Sequence, residues 1–212
     1  MNGATRLALL VGIAGALWSL RTPAESAFDP GPGNGIRRTR ARVDFSVIIP
    51  KILLQRVGTG SAYATTLASN GTVNLLSFSP GAAAVGNGTP IAGTGGDLGG
   101  GVQTAAIISN SGNVTLNATA TGALGDGAGD SIPYSQIATA ASALTVGYSL
   151  LSAPVLTNAA SANIVLTAPA TKVIRADARW AYSYLNTTRP PAGTYGGVNV
   201  NNGRVVYTAT MP

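Results

Sequence analysis

Residues 172–185 alternate in a way that leaves this chain few architectures. Trp180, Tyr182 and Tyr184 stand at every second position, with Ala181, Ser183 and Leu185 between them. Side chains on a strand point to opposite faces with period two. The stretch therefore reads as the longest strand of the chain, with two contrasting faces. On a central strand the aromatic face belongs in a core. If it were exposed, its rings would make a platform for stacking sugars.

The rest of the chain repeats the signal in shorter pieces. Strands are expected over 52–57, 72–78, 102–109, 114–121, 150–157, 163–167 and 204–211, with a short one at 198–200. Residues 132–144 could hold a short strand or one helical turn. Asn70-Gly71 introduces the second strand, Asn87-Gly88 lies in a loop, and Asn201-Asn202-Gly203 reads as a turn with strong potential for positive φ. The Gly-containing link 110–113 reads as the turn of a hairpin joining 102–109 to 114–121. Residues 81–101 and 122–130 read as Gly-rich loops. Composition agrees: charged residues are 9%, with Gly 28 and Pro 12, and helix-favouring Lys and Glu are scarce. Short strands with frequent turn signals predict an all-β chain, an immunoglobulin-like or jelly-roll-like antiparallel sandwich.

Residues 39–49 alternate too. Ala41, Val43, Phe45, Val47 and Ile49 share one face, and Arg40, Arg42, Asp44 and Ser46 lie on the other. Something must cover the apolar face. It is either this chain's own sheet or a neighbouring subunit, and the two answers give an ordinary sandwich or a polymer.

The N-terminus carries a targeting pattern. Arg6 precedes an apolar run from Leu7 to Trp18, followed by small residues at Ala24, Ser26 and Ala27. We read 1–26 as a secretory signal peptide, since the run is shorter than the ~20 residues a membrane-spanning helix needs. An uncleaved anchor is the competing reading. Residues 27–38 are a Pro/Gly/Arg-rich linker, in which Pro and Gly defeat both helix and ladder. A single sandwich domain is then expected over 39–212.

The formal charge is +6, concentrated in Arg37, Arg38, Arg40, Arg42, Lys51 and Arg56. These are not interleaved with aromatics on one folded face, so nucleic acid is not an expected partner. Charge on a strand edge instead discourages unwanted pairing.

Chemistry is sparse. His 0 and Cys 0 remove the usual general base, the commonest metal ligand and any disulfide. No catalytic residue is expected, and the chain does not read as an enzyme. Asp126 and Asp130 are close in a Gly-rich loop. They could hold a structural Ca²⁺, which prefers oxygen ligands, or simply belong to a loop. No other cofactor is expected. Asn-x-Thr sequons at Asn70, Asn87, Asn113, Asn117 and Asn186 suggest surface loops.

An Arg-flanked alternating strand behind a signal peptide, a Cys-free Ala/Thr/Gly-rich body, and Pro191-Ala192-Gly193-Thr194-Tyr195 before a last strand resemble secreted bacterial pilin-like β-sandwich subunits. The style is that of chaperone–usher pilins and spore-coat-U-type proteins. The chain departs from them in lacking a disulfide and in ending Met211-Pro212 without a penultimate aromatic. The resemblance implies a homopolymer built by strand addition, with Ala41, Val43, Phe45, Val47 and Ile49 as the donor face. It also implies a periplasmic chaperone and an extracellular location. The alternative is a secreted carbohydrate- or surface-binding module.

Overall fold

The computed structural model describes residues 26–59, 67 and 69–212. The signal-peptide reading of 1–26 falls almost wholly outside these residues. The chain divides into two compact units, Met1–Ile49 and Pro50–Pro212. The sheet domain thus begins at Pro50, not at Thr39.

In the first unit the described residues are exposed and outside any strand. The Asp29 carboxylate accepts from the Gly31 amide at 3.3 Å and from the Arg37 guanidinium at 3.4 Å. Arg37 also donates to the Gly33 carbonyl. An exposed ion pair of this kind contributes roughly 0–1 kcal/mol, enough to shape the Pro/Gly segment locally.

The second unit is all-β. In chain order its strands are β1 (Leu53–Val57), β2 (Leu76–Ser77), β3 (Ile91–Ala92), β4 (Thr94–Gly95), β5 (Val102–Ser109), β6 (Val114–Ala120) and β7 (Leu124–Gly125). There follow β8 (Ser131–Ile132), β9 (Ile137–Ser142), β10 (Ser149–Leu150), β11 (Ile164–Leu166), β12 (Ile174–Tyr184) and β13 (Val205–Thr210). A six-stranded sheet is ordered β1-β5-β12-β10, with β3 and β9 also paired to β12. A three-stranded sheet is ordered β11-β6-β13. Two-stranded ribbons, β2-β4 and β7-β8, complete the set. Pairing is antiparallel except between β10 and β12, a two-residue parallel contact.

The sheets pack as a sandwich around one apolar cluster. From β12 come Ile174, Ala176, Ala178, Trp180, Tyr182 and Tyr184, the even face of the strand. Ala105 and Ile107 join from β5, and Val114, Leu116, Ala118 and Ala120 from β6. Trp180 is fully buried, and its Nε1 donates to the Leu151 carbonyl at 2.8 Å. Burying a side chain of this kind contributes on the order of 1.5–3 kcal/mol. The indole needs its partner because an unpaired buried donor costs about as much.

Three expectations are corrected. The first is the hairpin. β5 and β6 do not pair: β5 lies between β1 and β12, while β6 lies between β11 and β13. Asn110 explains the crossing. Its side chain accepts from the Ile52 amide at 2.8 Å and donates to the Pro50 carbonyl at 2.8 Å. This ties the end of β5 to β1, and the chain must step to the other sheet.

The second is the strand over 150–157, which exists only as Ser149–Leu150. Leu151, Pro154 and Leu156 are buried, but as plugs. Pro154 has no N–H to give a ladder. The third is the strand at 198–200, which is a bend. Asn199, Asn201 and Asn202 all have positive φ there, which a strand does not allow.

Residues 132–144 hold both forms, a 3₁₀ turn at Tyr134–Gln136 and then β9. The Gly-rich stretch 81–101 folds back on β12. The Gly93 amide donates to the Tyr182 carbonyl, and the Tyr182 amide donates to the Gly101 carbonyl. Gly101 sits at φ +76°, where a Cβ would stand 2.7 Å from the Gly93 Cα. Only glycine fits that approach.

Candidate functional site: an exposed apolar segment and an open seam

Residues 39–49 form no strand and pair with no ladder. Val43, Phe45 and Val47 lie open. Their side chains are 73%, 89% and 83% exposed, Ile49 is 76% exposed, and Ala41 is exposed as well. Ile48 on the opposite face is equally open. Isolated apolar residues on a surface are ordinary, but a contiguous exposed run marks a place where something binds.

A second feature lies within the sheet domain. β1 and β13 are edge strands of different sheets and run side by side in opposite directions. The Lys51 ammonium donates to the Pro212 carbonyl at 3.1 Å, and the Ala209 amide donates to Gln55 Oε1 at 2.9 Å. No ladder joins them.

The facing edges follow from strand alternation. Ala209 turns its amide away from β6, so Val205 and Tyr207 turn theirs the same way. The Gly58 amide, just after β1, donates to the Thr104 carbonyl of β5, and the Asn110 amide, just after β5, donates to the Ile52 carbonyl, which leaves the amides of Leu53, Gln55 and Val57 facing the seam.

The inward side chains here are only half-buried. Leu53 and Val57 from β1, and Val205, Tyr207 and Ala209 from β13, pack against the core without being closed over. Gln55 is a polar residue on the apolar inward face of β1. Sequence reading missed the seam. The available signal was Gln55 itself, which interrupts the alternation Leu53, Val57.

The aromatic strand is core. Trp180, Tyr182 and Tyr184 are buried, so no sugar-stacking platform exists on β12. Tyr182 and Tyr207 place their hydroxyls 2.9 Å apart. Burial pushes the Tyr207 phenol up to about 12 and the Tyr182 phenol well above its ordinary 10.0. Tyr134, whose hydroxyl donates to the Asn202 carbonyl at 2.7 Å, is also pushed up to about 12 by burial.

Asp126 and Asp130 lie in the loop after β7. Asp126 Oδ1 accepts from the amides of Ala128, Gly129 and Asp130 at 2.8, 3.0 and 3.0 Å. The Ala128 amide leads the others in holding this carboxyl below its ordinary 3.8. The oxygen shapes the loop. Among the described residues no group of three or more His, Cys, Asp or Glu side chains comes together around a common point.

Of the sequons, Asn186 is buried and structural, not a surface loop. Its side chain donates to the Ala84 carbonyl at 2.7 Å and accepts from the Gly86 amide at 2.8 Å. No described helix is long and apolar enough to cross a membrane.

Comparison of the chain with protein-family models, with curated proteins and with solved structures finds no match.

Proposed function

We propose that this protein is a structural subunit of an extracellular filament or surface layer, assembled by adding residues 39–49 of one copy to a sheet of another. The observation that carries this is the exposed face Ala41, Val43, Phe45, Val47 and Ile49. It follows a Pro/Gly linker that lets it reach outward. In strand addition, ladder hydrogen bonds supply affinity, and alternate side chains in pockets supply specificity. The chemistry is non-enzymatic, and no cofactor enters it. Secretion and a periplasmic chaperone belong to the same reading through the pilin-like resemblance.

Each of Val43, Phe45, Val47 and Ile49 would contribute on the order of 1.5–3 kcal/mol on full burial. Ordering the strand and bringing two copies together offset part of that sum. Deleting residues 27–49 tests the role of the segment. Light scattering on a sizing column should show multimers from the full chain and monomers from the deleted one. Multimers from the deleted chain would refute it.

A further inference from the structure

We propose that the cleft between the β7–β8 ribbon and the turn 199–203 binds one neutral hexopyranose unit of a glycan, held by Asp130, Ser131 and Asn201. The site lies apart from residues 39–49 and does not depend on strand addition.

The cleft measures about 480 Å³, within the size range of small-molecule sites. Gly125, Gly127 and Gly129 line one part of it, and Asp130, Ser131, Asn201 and Asn202 another. The polar groups around it fall into two sets. One set is spent on the fold. Asp126 Oδ1 is taken by three loop amides. Asn202 Oδ1 accepts from the Thr121 hydroxyl at 3.0 Å, and its Nδ2 donates to the Ala123 carbonyl at 3.0 Å. The Asn202 carbonyl accepts from the buried Tyr134 hydroxyl, and the Asn201 carbonyl accepts from the Gly125 amide at 2.9 Å. These bonds hold Asn201 and Asn202 at φ +49° and +57°, a left-handed backbone that is costly for residues other than glycine. Such strain persists where the surroundings over-determine it, and it collects at ligand sites.

The other set is unspent. Among the described residues the Asp130 carboxylate, the Ser131 hydroxyl and the Asn201 carboxamide make no hydrogen bond, and all three residues are exposed. A Cβ on Gly127 would stand 3.5 Å from both Nδ2 and Oδ1 of Asn201. The carboxamide therefore stands over a residue with no side chain, and both of its polar atoms are within reach of a ligand lying there. Glycine leaves the backbone open to such a close approach.

This donor set selects the ligand class. A carboxylate accepts from two hydroxyls at once, a carboxamide both donates and accepts, and a hydroxyl does either. Neighbouring hydroxyls on a sugar ring offer the matching pattern, and their bonds to the carboxylate are charge-assisted. Among the described residues no Lys or Arg lines the cleft, so an anionic ligand would meet only the charge of Asp130. No aromatic ring lines it either, which leaves an organic cation without a π face. Calcium needs a full shell of oxygens, and Asp126 is already committed to its amides.

Saturation-transfer difference NMR on the full-length chain tests the site, with D-glucose, D-galactose, D-mannose and N-acetyl-D-glucosamine as probes. At least one sugar should receive saturation at millimolar concentration. Its affinity should fall about tenfold in Asp130→Asn and about three- to tenfold in Asn201→Gly, which deletes the carboxamide and keeps the positive φ. Neither side chain bonds to the fold, so both variants should melt as the unsubstituted chain does. Asp44→Asn, which removes a carboxylate from the first unit, should bind unchanged.

Saturation of none of the four sugars, or equal binding by both cleft variants, would overturn the site. Calcium chloride that raises the melting temperature of the unsubstituted chain but not of Asp130→Asn, with no sugar bound, would put a cation in the cleft and overturn the sugar. Light scattering reads assembly separately. Sugar binding by a chain that forms no multimers would support this site and refute strand addition, and multimers that bind no sugar would do the reverse.

Discussion

The hydroxyls of Tyr182 on β12 and Tyr207 on β13 meet at 2.9 Å, joining the two sheets across the core. Trp180 stacks beside them, its ring centroid 5.3 Å from that of Tyr207 at an interplanar angle of 43°. Tyr207→Phe leaves the Tyr182 hydroxyl buried without its partner and should cost about 1–3 kcal/mol by denaturant titration.

Because burial raises both phenols above their ordinary 10.0, the folded chain holds these protons more tightly than the unfolded chain. Their stabilisation is complete below pH 10 and is lost as pH rises through about 12. Melting temperature should therefore be level below pH 10 and fall above it. The fall should be shallower in Tyr207→Phe.

Asn186 closes the loop around the 3₁₀ turn at Ala82–Ala84 from a buried position at φ +55°. Its amide group satisfies the Ala84 carbonyl and the Gly86 amide together. Asn186→Ala leaves the Ala84 carbonyl and the Gly86 amide without this partner and puts an alanine in the left-handed region. It should cost about 3 kcal/mol in chemical denaturation, within the range for broken buried networks. Hydrogen exchange at Gly86 should accelerate.

Asp126 organises its loop through one carboxylate oxygen and the amides of Ala128, Gly129 and Asp130. These amides hold its carboxyl below 3.8, so the loop's stabilisation is present above that pH and is lost as pH falls through the depressed value. Asp126→Asn keeps an accepting Oδ1 and should preserve slow exchange of the three amides while removing the acid sensitivity. Asp126→Ala should accelerate exchange at all three.

Much of the sandwich could be read from alternation. The strands at 102–109, 114–120, 174–184 and 205–210 stand where period two places them, because each buries one face and shows the other to a different environment. Residues 150–157 carry the same apolar spacing but enter the core around Pro154 without a ladder. Composition does not distinguish a plug from a strand. The link 110–113 has turn chemistry, yet a turn signal says nothing of which sheet the next strand joins; Asn110 decides that through Ile52 and Pro50. The two-residue strands β3 and β4 depend on glycine backbones lying against other strands, a close approach visible only in three dimensions. At the candidate site the apolar face of residues 39–49 was legible and its exposure was not, since a period-two pattern does not name what covers it. The seam required knowing that β1 and β13 are neighbours.

The central claim is that the apolar face of residues 39–49 holds copies together. Negative-stain electron microscopy of the full chain beside Phe45→Asp tests it most directly, because an aspartate at that position would carry an unpaired charge into any interface that buries it. The unsubstituted protein should form fibres or a layer, and Phe45→Asp should yield only monodisperse particles. Equal fibres from both proteins, or monodisperse particles from both, would contradict the claim.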